Sequence, residues 1–232
     1  MPDRSALPKH IQICELLIRE IGAGRLRDGE KLPPERQMAS ALGASVGTLR
    51  KALARMTEDG LLERVLGSGN YVRNTGTKGG VYAMFRLELP DGGGLPGARV
   101  LDVAKTKKPP ELPEFGSSDH GTRIRRQRFL NNEPIAIEEI WLDGSLGALR
   151  PVEISESLYR TYQKQLDLWV LRAEDRVGIG QLPDWVPIEF GLRPGATVGY
   201  VERFSWGDTD IPIEYSQSWF DPDRARYVQR MN

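Results

Sequence analysis

Two adjacent prolines, Pro33-Pro34, stop any helix that reaches them from the N-terminal side. The stretch from there to Val72 is broken again at short intervals. Gly43 follows Met38, Ala39 and Leu42, and Gly60 follows Leu49, Ala52, Leu53 and Met56. Gly67-Ser68-Gly69 then separates two strand-like runs, Leu61 to Leu66 and Asn70 to Arg73. Long helices and long strands do not fit between such breaks. Two short helices followed by a small hairpin do.

The local chemistry sharpens this. Ile11, Cys14, Leu17, Ile18 and Ile21 recur at helical spacing, which predicts an amphipathic helix from about Pro8 to Ala23, ended by Gly22 and Gly24. Arg27-Asp28-Gly29-Glu30 is a turn. Pro34 suits the first position of the next helix, and Glu35 suits the positive end of its dipole. Ser45 is placed to cap a helix running to Glu58 by accepting the N–H of Thr48. Leu49, Ala52, Leu53 and Met56 form the apolar stripe of that helix, while Arg50, Lys51 and Arg55 lie off it.

Two helices joined by a short glycine-containing turn, the second opening on hydroxyl and cationic side chains, is a helix-turn-helix pattern. Short hydroxyl side chains let a helix N-terminus approach phosphates, and cationic ones reach phosphates or guanine edges in the major groove. The plainer alternative is a helical hairpin with a solvated basic face. The hairpin that follows favours DNA binding, because three helices and a glycine-tipped hairpin make a winged helix. The tip Gly67-Ser68-Gly69 would meet the DNA backbone or minor groove without side-chain obstruction.

Residues 8–73 resemble the GntR family of bacterial transcription regulators. The resemblance lies in Leu32-Pro33-Pro34-Glu35-Arg36, in Ser45-Val46-Gly47-Thr48-Leu49-Arg50-Lys51, in Asp59-Gly60-Leu61-Leu62 and in Gly67-Ser68-Gly69-Asn70-Tyr71-Val72. It implies operator contacts from Arg36 and Arg50, phosphate contacts from Ser45 and Thr48 with Lys51 beside them, and a wing tip at Gly67, Ser68 and Gly69. The family commonly has arginine after the capping serine. Here Val46 stands, which cannot pair with guanine but can touch a thymine methyl, so a divergent operator is expected.

Composition agrees. The 232 residues carry no net charge, but residues 1–73 hold 12 Lys+Arg against 9 Asp+Glu, and the rest is acidic by the same margin. Phosphate contacts are therefore expected in the first third. No apolar run approaches the ~20 residues that a membrane-spanning helix needs. The N-terminus lacks the apolar core of a secretory signal. Cys14 is the only cysteine, which excludes an internal disulfide and a multi-cysteine metal site. A cytoplasmic protein without cofactor is expected.

Arg73 to Gly80 is small, polar and glycine-rich, and reads as a linker. The expected division is a DNA-binding domain over 1–73, a linker over 74–80 and a second domain over 81–232. In the second domain, strands are predicted at Val81–Glu88, Arg99–Thr106, Thr122–Leu130, Ile135–Leu142, Leu168–Ile179, Val198–Trp206 and Ile211–Phe220, with an edge strand at Arg226–Gln229. Helices are predicted at Ser155–Leu166 and Pro183–Gly191. The fold class is α+β, a winged helix-turn-helix followed by an α+β domain on a mainly antiparallel sheet.

No catalytic set is apparent, and His10 and His120 fall in different domains, so neither a triad nor a metal site is expected. Asp91-Gly92-Gly93-Gly94 lacks the Lys-Ser/Thr ending of a phosphate loop. Arg126 and Arg128 share one strand face, and Glu138 returns on the antiparallel neighbour. Such a cluster is either a structural salt bridge or a site for an anionic or hydroxyl-rich ligand. Glu214 stands among apolar neighbours, and all five tryptophans fall in this domain.

Residues 81–232 resemble, more loosely, the UTRA effector-sensing domain of the HutC subfamily, on Arg126-x-Arg128, Asn132 to Glu138, Glu156-Ser157-Leu158-Tyr159 and Ile211 to Tyr215. This implies a ligand cavity lined by Arg126, Arg128, Glu138, Ser157 and Glu214. Phe220 stands where the family often has tyrosine, which removes a hydroxyl. Sugars, sugar phosphates and organic acids are the expected effector types, and the two arginines favour an acidic or phosphate group. The function expected is a homodimeric repressor released from operator DNA by a small polar metabolite. An activator of the same architecture, and an enzyme with an accessory winged helix, are the alternatives.

Overall fold

The computed structural model describes residues 8–22, 24–73, 86–150, 154 and 158–229. They gather into two compact units, one of residues 8–96 with 226–229 and the other of residues 97–225. The linker expected at 74–80 lies outside the described residues.

The first unit opens with α1 (Lys9–Gly22), α2 (Glu35–Ala41) and α3 (Val46–Glu58). Their apolar stripes meet in one core of Ile13, Cys14, Leu17, Met38, Leu49, Leu53 and Met56, closed by Leu62 and Val72. Pro34 caps α2 instead of occupying its first turn. Its ψ of 137° is extended, although its carbonyl still accepts the N–H of Met38. Ser45 caps α3 as expected, with the Thr48 N–H 3.1 Å from its Oγ. The wing is β1 (Leu62–Val65) paired antiparallel with β2 (Gly69–Val72). It has a third ply that periodicity did not show. Residues 29–32 run beside β2, exchanging backbone bonds Gly29→Val72, Leu32→Asn70 and Val72→Glu30.

A two-residue strand β3 (Leu87–Glu88) follows, shorter than the strand expected over 81–88, of which 81–85 lie outside the described residues. Arg19 donates to the carbonyls of Leu87 and Gly94, and Arg25 bridges Glu20 and Glu88.

The second unit is a six-stranded sheet in the order β4-β5-β6-β9-β8-β7. Its strands are β4 (Pro96–Lys107), β5 (His120–Leu130), β6 (Glu133–Asp143), β7 (Arg172–Gln181), β8 (Thr197–Trp206) and β9 (Pro212–Phe220). Helix α4 (Leu158–Leu166) precedes β7, and the expected cap Ser155 lies outside the described residues. Every pairing from β5 through β9 and β8 to β7 is antiparallel.

Three expectations fail in this half. Residues 168–171 are not strand, because α4 ends on Asp167 in the left-handed region (φ 52°) and the chain needs several residues to turn into β7. Pro183–Gly191 is not a helix. Pro183 and Pro187 remove N–H donors, and only Ile188–Phe190 closes a single tight turn. The last strand, β10 (Arg226–Tyr227), does not edge the six-stranded sheet but pairs with β3 in the first unit.

Candidate functional site

On the first unit the candidate DNA face is built at the start of α3. Ser45 Oγ and Thr48 Oγ1 lie 2.8 Å apart at the helix N-terminus, so the cap and its partner present hydroxyls beside the positive end of the helix dipole. Arg36, Arg50 and Lys51 are exposed. Arg50 Nε donates to Glu35 Oε2 at 2.6 Å, a contact that steadies the guanidinium next to the same helix end. Val46 is half-buried and packs against the core of the three helices, so apolar packing accounts for valine there.

At the wing tip Gly67 and Gly69 hold φ of 75° and 136°, a region that favours glycine, and Ser68 Oγ bonds the Tyr71 hydroxyl at 2.7 Å. Leu66 beside them is almost fully exposed. Lys31, absent from the sequence reading, lies against this tip, since a Cβ on Gly69 would stand 3.3 Å from Lys31 Cε. Its only signal was a cation just before Leu32, and its use depends on the third ply of the wing.

On the second unit, register decides which side chains share a face, because residues directly opposite in a sheet point the same way. Arg126 pairs with Glu138, Glu138 with Ser218, and Ser218 with Val201. One row over, Ile140 pairs with Ser216, Ser216 with Arg203, and Arg203 with Asp175. Glu214 pairs with Leu142 and with Ser205. One face of the sheet therefore carries Arg126, Arg128, Glu138, Arg203, Asp175, Ser205 and Glu214 together. Arg126, Arg128, Glu138 and Glu214 thus share this face, while Ser157 lies outside the described residues.

The face is dry and charged. Glu138 Oε2 accepts from Arg126 Nε at 2.6 Å, and Arg128 Nε is 3.9 Å from Oε1, all three side chains being about nine-tenths buried. Burial alone would raise the Glu138 carboxyl, but the two guanidiniums outweigh it and hold the group below its ordinary range. Glu214 is the reverse. Burial pushes its carboxyl up, against hydrogen bonds from Tyr162 (2.6 Å), Ser205 (2.9 Å) and Tyr159 (3.1 Å). Both phenols come from α4, at i and i+3 on one helix face. Arg203 makes a two-pronged contact with Asp175 at 2.5 and 2.6 Å.

Phe220 is buried on the same face, and its ring fills the space where a Cβ on Gly199 would stand, 2.2 Å away. The ring thus lies on bare β8 backbone. Tyr159, Tyr162, Arg203, Asp175 and Ser205 were missed from sequence. The signals were present in the Tyr-x-x-Tyr spacing and in the alternation of β8, but the strand order needed to use them was not.

Sequence profiles match in two places. Bacterial regulatory proteins of the gntR family match residues 10–72, and the UTRA domain matches residues 91–226. The chain belongs to the GntR family. It is 54% identical to the HTH-type transcriptional regulator SmoD of Agrobacterium fabrum, over 97% of each chain. It is 26% identical to the HTH-type transcriptional repressor NagR of Bacillus subtilis, over 99% of this chain and 97% of that one. Its fold is shared with the possible transcriptional regulator YydK of Bacillus subtilis, with a TM-score of 0.53 at 22% identity over 97% of this chain and 100% of that one. The protein is a ligand-responsive, DNA-binding transcription regulator with a GntR reader and a UTRA sensor, not an enzyme. No helix among the described residues is long and apolar enough to cross a membrane.

Proposed function

We propose that the protein is a cytoplasmic, homodimeric repressor that leaves its operator when a small anionic metabolite enters the polar face of the sensor sheet. The observation that carries the effector class is the charge balance of that face. Arg126, Arg128 and Arg203 are opposed by Glu138 and Asp175, while burial drives Glu214 toward its neutral form. Three guanidiniums gathered on one face, beside a carboxyl that burial pushes up, favour a sugar phosphate, sugar acid or organic acid over a neutral sugar. Arg126, Arg128, Glu138, Ser157 and Glu214 are the proposed contacts, with Phe220 as an apolar wall.

On the DNA side, Arg36 and Arg50 are the proposed base contacts, with Val46 available to a thymine methyl. Ser45, Thr48 and Lys51 are the proposed phosphate contacts, and Gly67-Ser68-Gly69 is the wing at the minor groove. NagR, a named repressor that matches along nearly the whole chain, supports repression over activation. For an effector to release DNA it must bind the released arrangement more tightly than the bound one.

The test pairs Arg128→Ala with wild type in operator gel shifts, with and without candidate acids. The variant should bind operator as wild type does and ignore effector. An unfolded sensor in near-ultraviolet circular dichroism would instead make Arg128 a purely structural residue. Reporter expression in a deletion strain separates repressor from activator.

A further inference from the structure

The six-stranded sheet ends on β7, and no described strand covers its outer edge. This edge is long, free of proline and regular throughout its pairing with β8. Open edges of this kind invite another strand, and proteins that avoid it use short edges, proline or bulges. Large apolar side chains are exposed on and beside it, Leu171 by 62%, Val177 by 54% and Ile179 by 79%. All three are odd-numbered, so along the extended chain they lie on one side.

We propose that β7 is the seam on which a second copy of this chain adds its own β7, antiparallel, with the two-fold axis at Asp175. The proposal rests on the homodimer stated above and names its surface. A two-fold relating antiparallel neighbours in one sheet stands perpendicular to the sheet and runs midway between one residue and its own copy, so only a few registers are possible.

With the axis at Asp175, Glu174 lies opposite Arg176 of the partner subunit, and the symmetry makes that ion pair twice. Leu171 then faces Ile179 of the partner subunit, Ala173 faces Val177 of the partner subunit, and all three exposed apolar residues are covered. Asp175 meets its own image, but each copy is already neutralised by the two-pronged contact with Arg203. Within one copy, Glu174 and Arg176 hold each other at 3.0 Å with both side chains more than half exposed, so they can exchange partners without uncovering a charge. Moving the axis to Glu174 sets Arg172 against Arg176 of the partner subunit. Moving it to Val177 sets Asp175 against Ile179 of the partner subunit. An axis at Gly178 pairs Val177 with Ile179 of the partner subunit but leaves Leu171 and both charges uncovered.

The experiment uses the full chain in sedimentation velocity. Wild type should be a dimer. Ile179→Lys should weaken it, and Glu174→Arg should raise its dissociation constant about tenfold, because two like-charge pairs replace two ion pairs. Glu174→Arg combined with Arg176→Glu should restore it. A mixture of Glu174→Cys and Arg176→Cys chains should form a disulfide-linked dimer on oxidation, whereas a mixture of Val177→Cys and Ile179→Cys chains should not. Cross-linking of the second mixture alone overturns the Asp175 register. A wild-type dimer indifferent to Ile179→Lys and Glu174→Arg overturns the seam and leaves the homodimer standing. A wild-type monomer overturns both.

Discussion

Glu138→Gln asks directly whether buried charge holds the sensor face together. In the native protein one carboxylate stands 2.6 Å from Arg126 Nε and 3.9 Å from Arg128 Nε, with little solvent at any of the three. Glutamine keeps the volume and one acceptor oxygen but removes the negative charge that both guanidiniums face. Breaking a buried pair from one side costs roughly 3–5 kcal/mol. A domain of this size moves its melting temperature by ~2–4 °C per kcal/mol, so the expected loss is about 6–20 °C. Arg126→Met should cost less, because Arg128 stays within ionic reach of the carboxylate. Differential scanning calorimetry at neutral pH compares the three proteins. Added phosphate or sulfate should recover more stability in Glu138→Gln than in wild type, since a small dianion can take the place of the lost carboxylate. Melting of Glu138→Gln within about 2 °C of wild type would refute the reasoning, because it would mean that the pair contributes less than ~1 kcal/mol.

Glu138 and Glu214 should also leave opposite marks on stability against pH. The folded value of Glu138 lies below its ordinary 4.5, so its contribution is present above that pH and lost as pH falls through the depressed value. The folded value of Glu214 lies above 4.5, so its contribution is present below that pH and lost as pH rises through the raised value. In urea titrations Glu214→Gln should therefore gain on wild type as pH rises, and Glu138→Gln should lose its deficit as pH falls. On DNA, Arg50→Ala should weaken operator binding by ~1–3 kcal/mol and relax one base preference, whereas Lys51→Ala should weaken all sequences alike and lower the salt slope by about one. Fluorescence anisotropy over a salt series distinguishes the two. Gly199→Ala should destabilise the sensor by about 1–3 kcal/mol, since the added methyl overlaps the Phe220 ring and forces it from its place, and thermal melting measures it.

The reader was legible because its determinants are local. Gly43, Ser45 and Gly60 each end or begin an element within a few residues of themselves, and the Ser45 cap formed as expected. Its third ply was not legible, since residues 29–32 pair with β2 across a long stretch of chain. In the sensor, the hairpin that joins the Arg126 and Glu138 strands was legible from its tight turn, where Asn131 and Asn132 hold φ of 51° and 68°, which asparagine tolerates. The Arg126–Glu138 register was not, because a bulge between Arg128 and Phe129 shifts the pairing by one residue, and the turn alone would set Arg126 opposite Ile137. No local rule brings β9 beside β6 or β7 to the edge. Arg203 and Asp175 were therefore invisible as members of the same face, although their alternation was plain. Pro183 and Pro187 prevail over the apolar residues around them, and the helix expected there does not form.

That hidden pair bears on how a sensor of this kind could couple its two tasks. Arg203 lies largely covered between Asp175 on the edge strand and the Tyr159–Glu214 cluster; burial works against its charge, and the two-pronged contact with Asp175 outweighs it. Its charge also helps hold Glu138 ionised. An anion arriving among Arg126 and Arg128 would compete for the same field that ties Arg203 to Asp175. If Asp175 stands at the dimer axis, any loosening of that tie uncovers negative charge where two copies meet. Linkage then requires reciprocity: an effector that weakens the dimer by some factor must bind the dimer more weakly than the monomer by the same factor. Arg203→Lys, which keeps the charge but cannot make the two-pronged contact, should reduce that coupling while leaving the Arg126–Glu138 pair in place. Dimer dissociation constants measured with and without effector give the coupling, and an unchanged ratio in Arg203→Lys would place the transmission elsewhere.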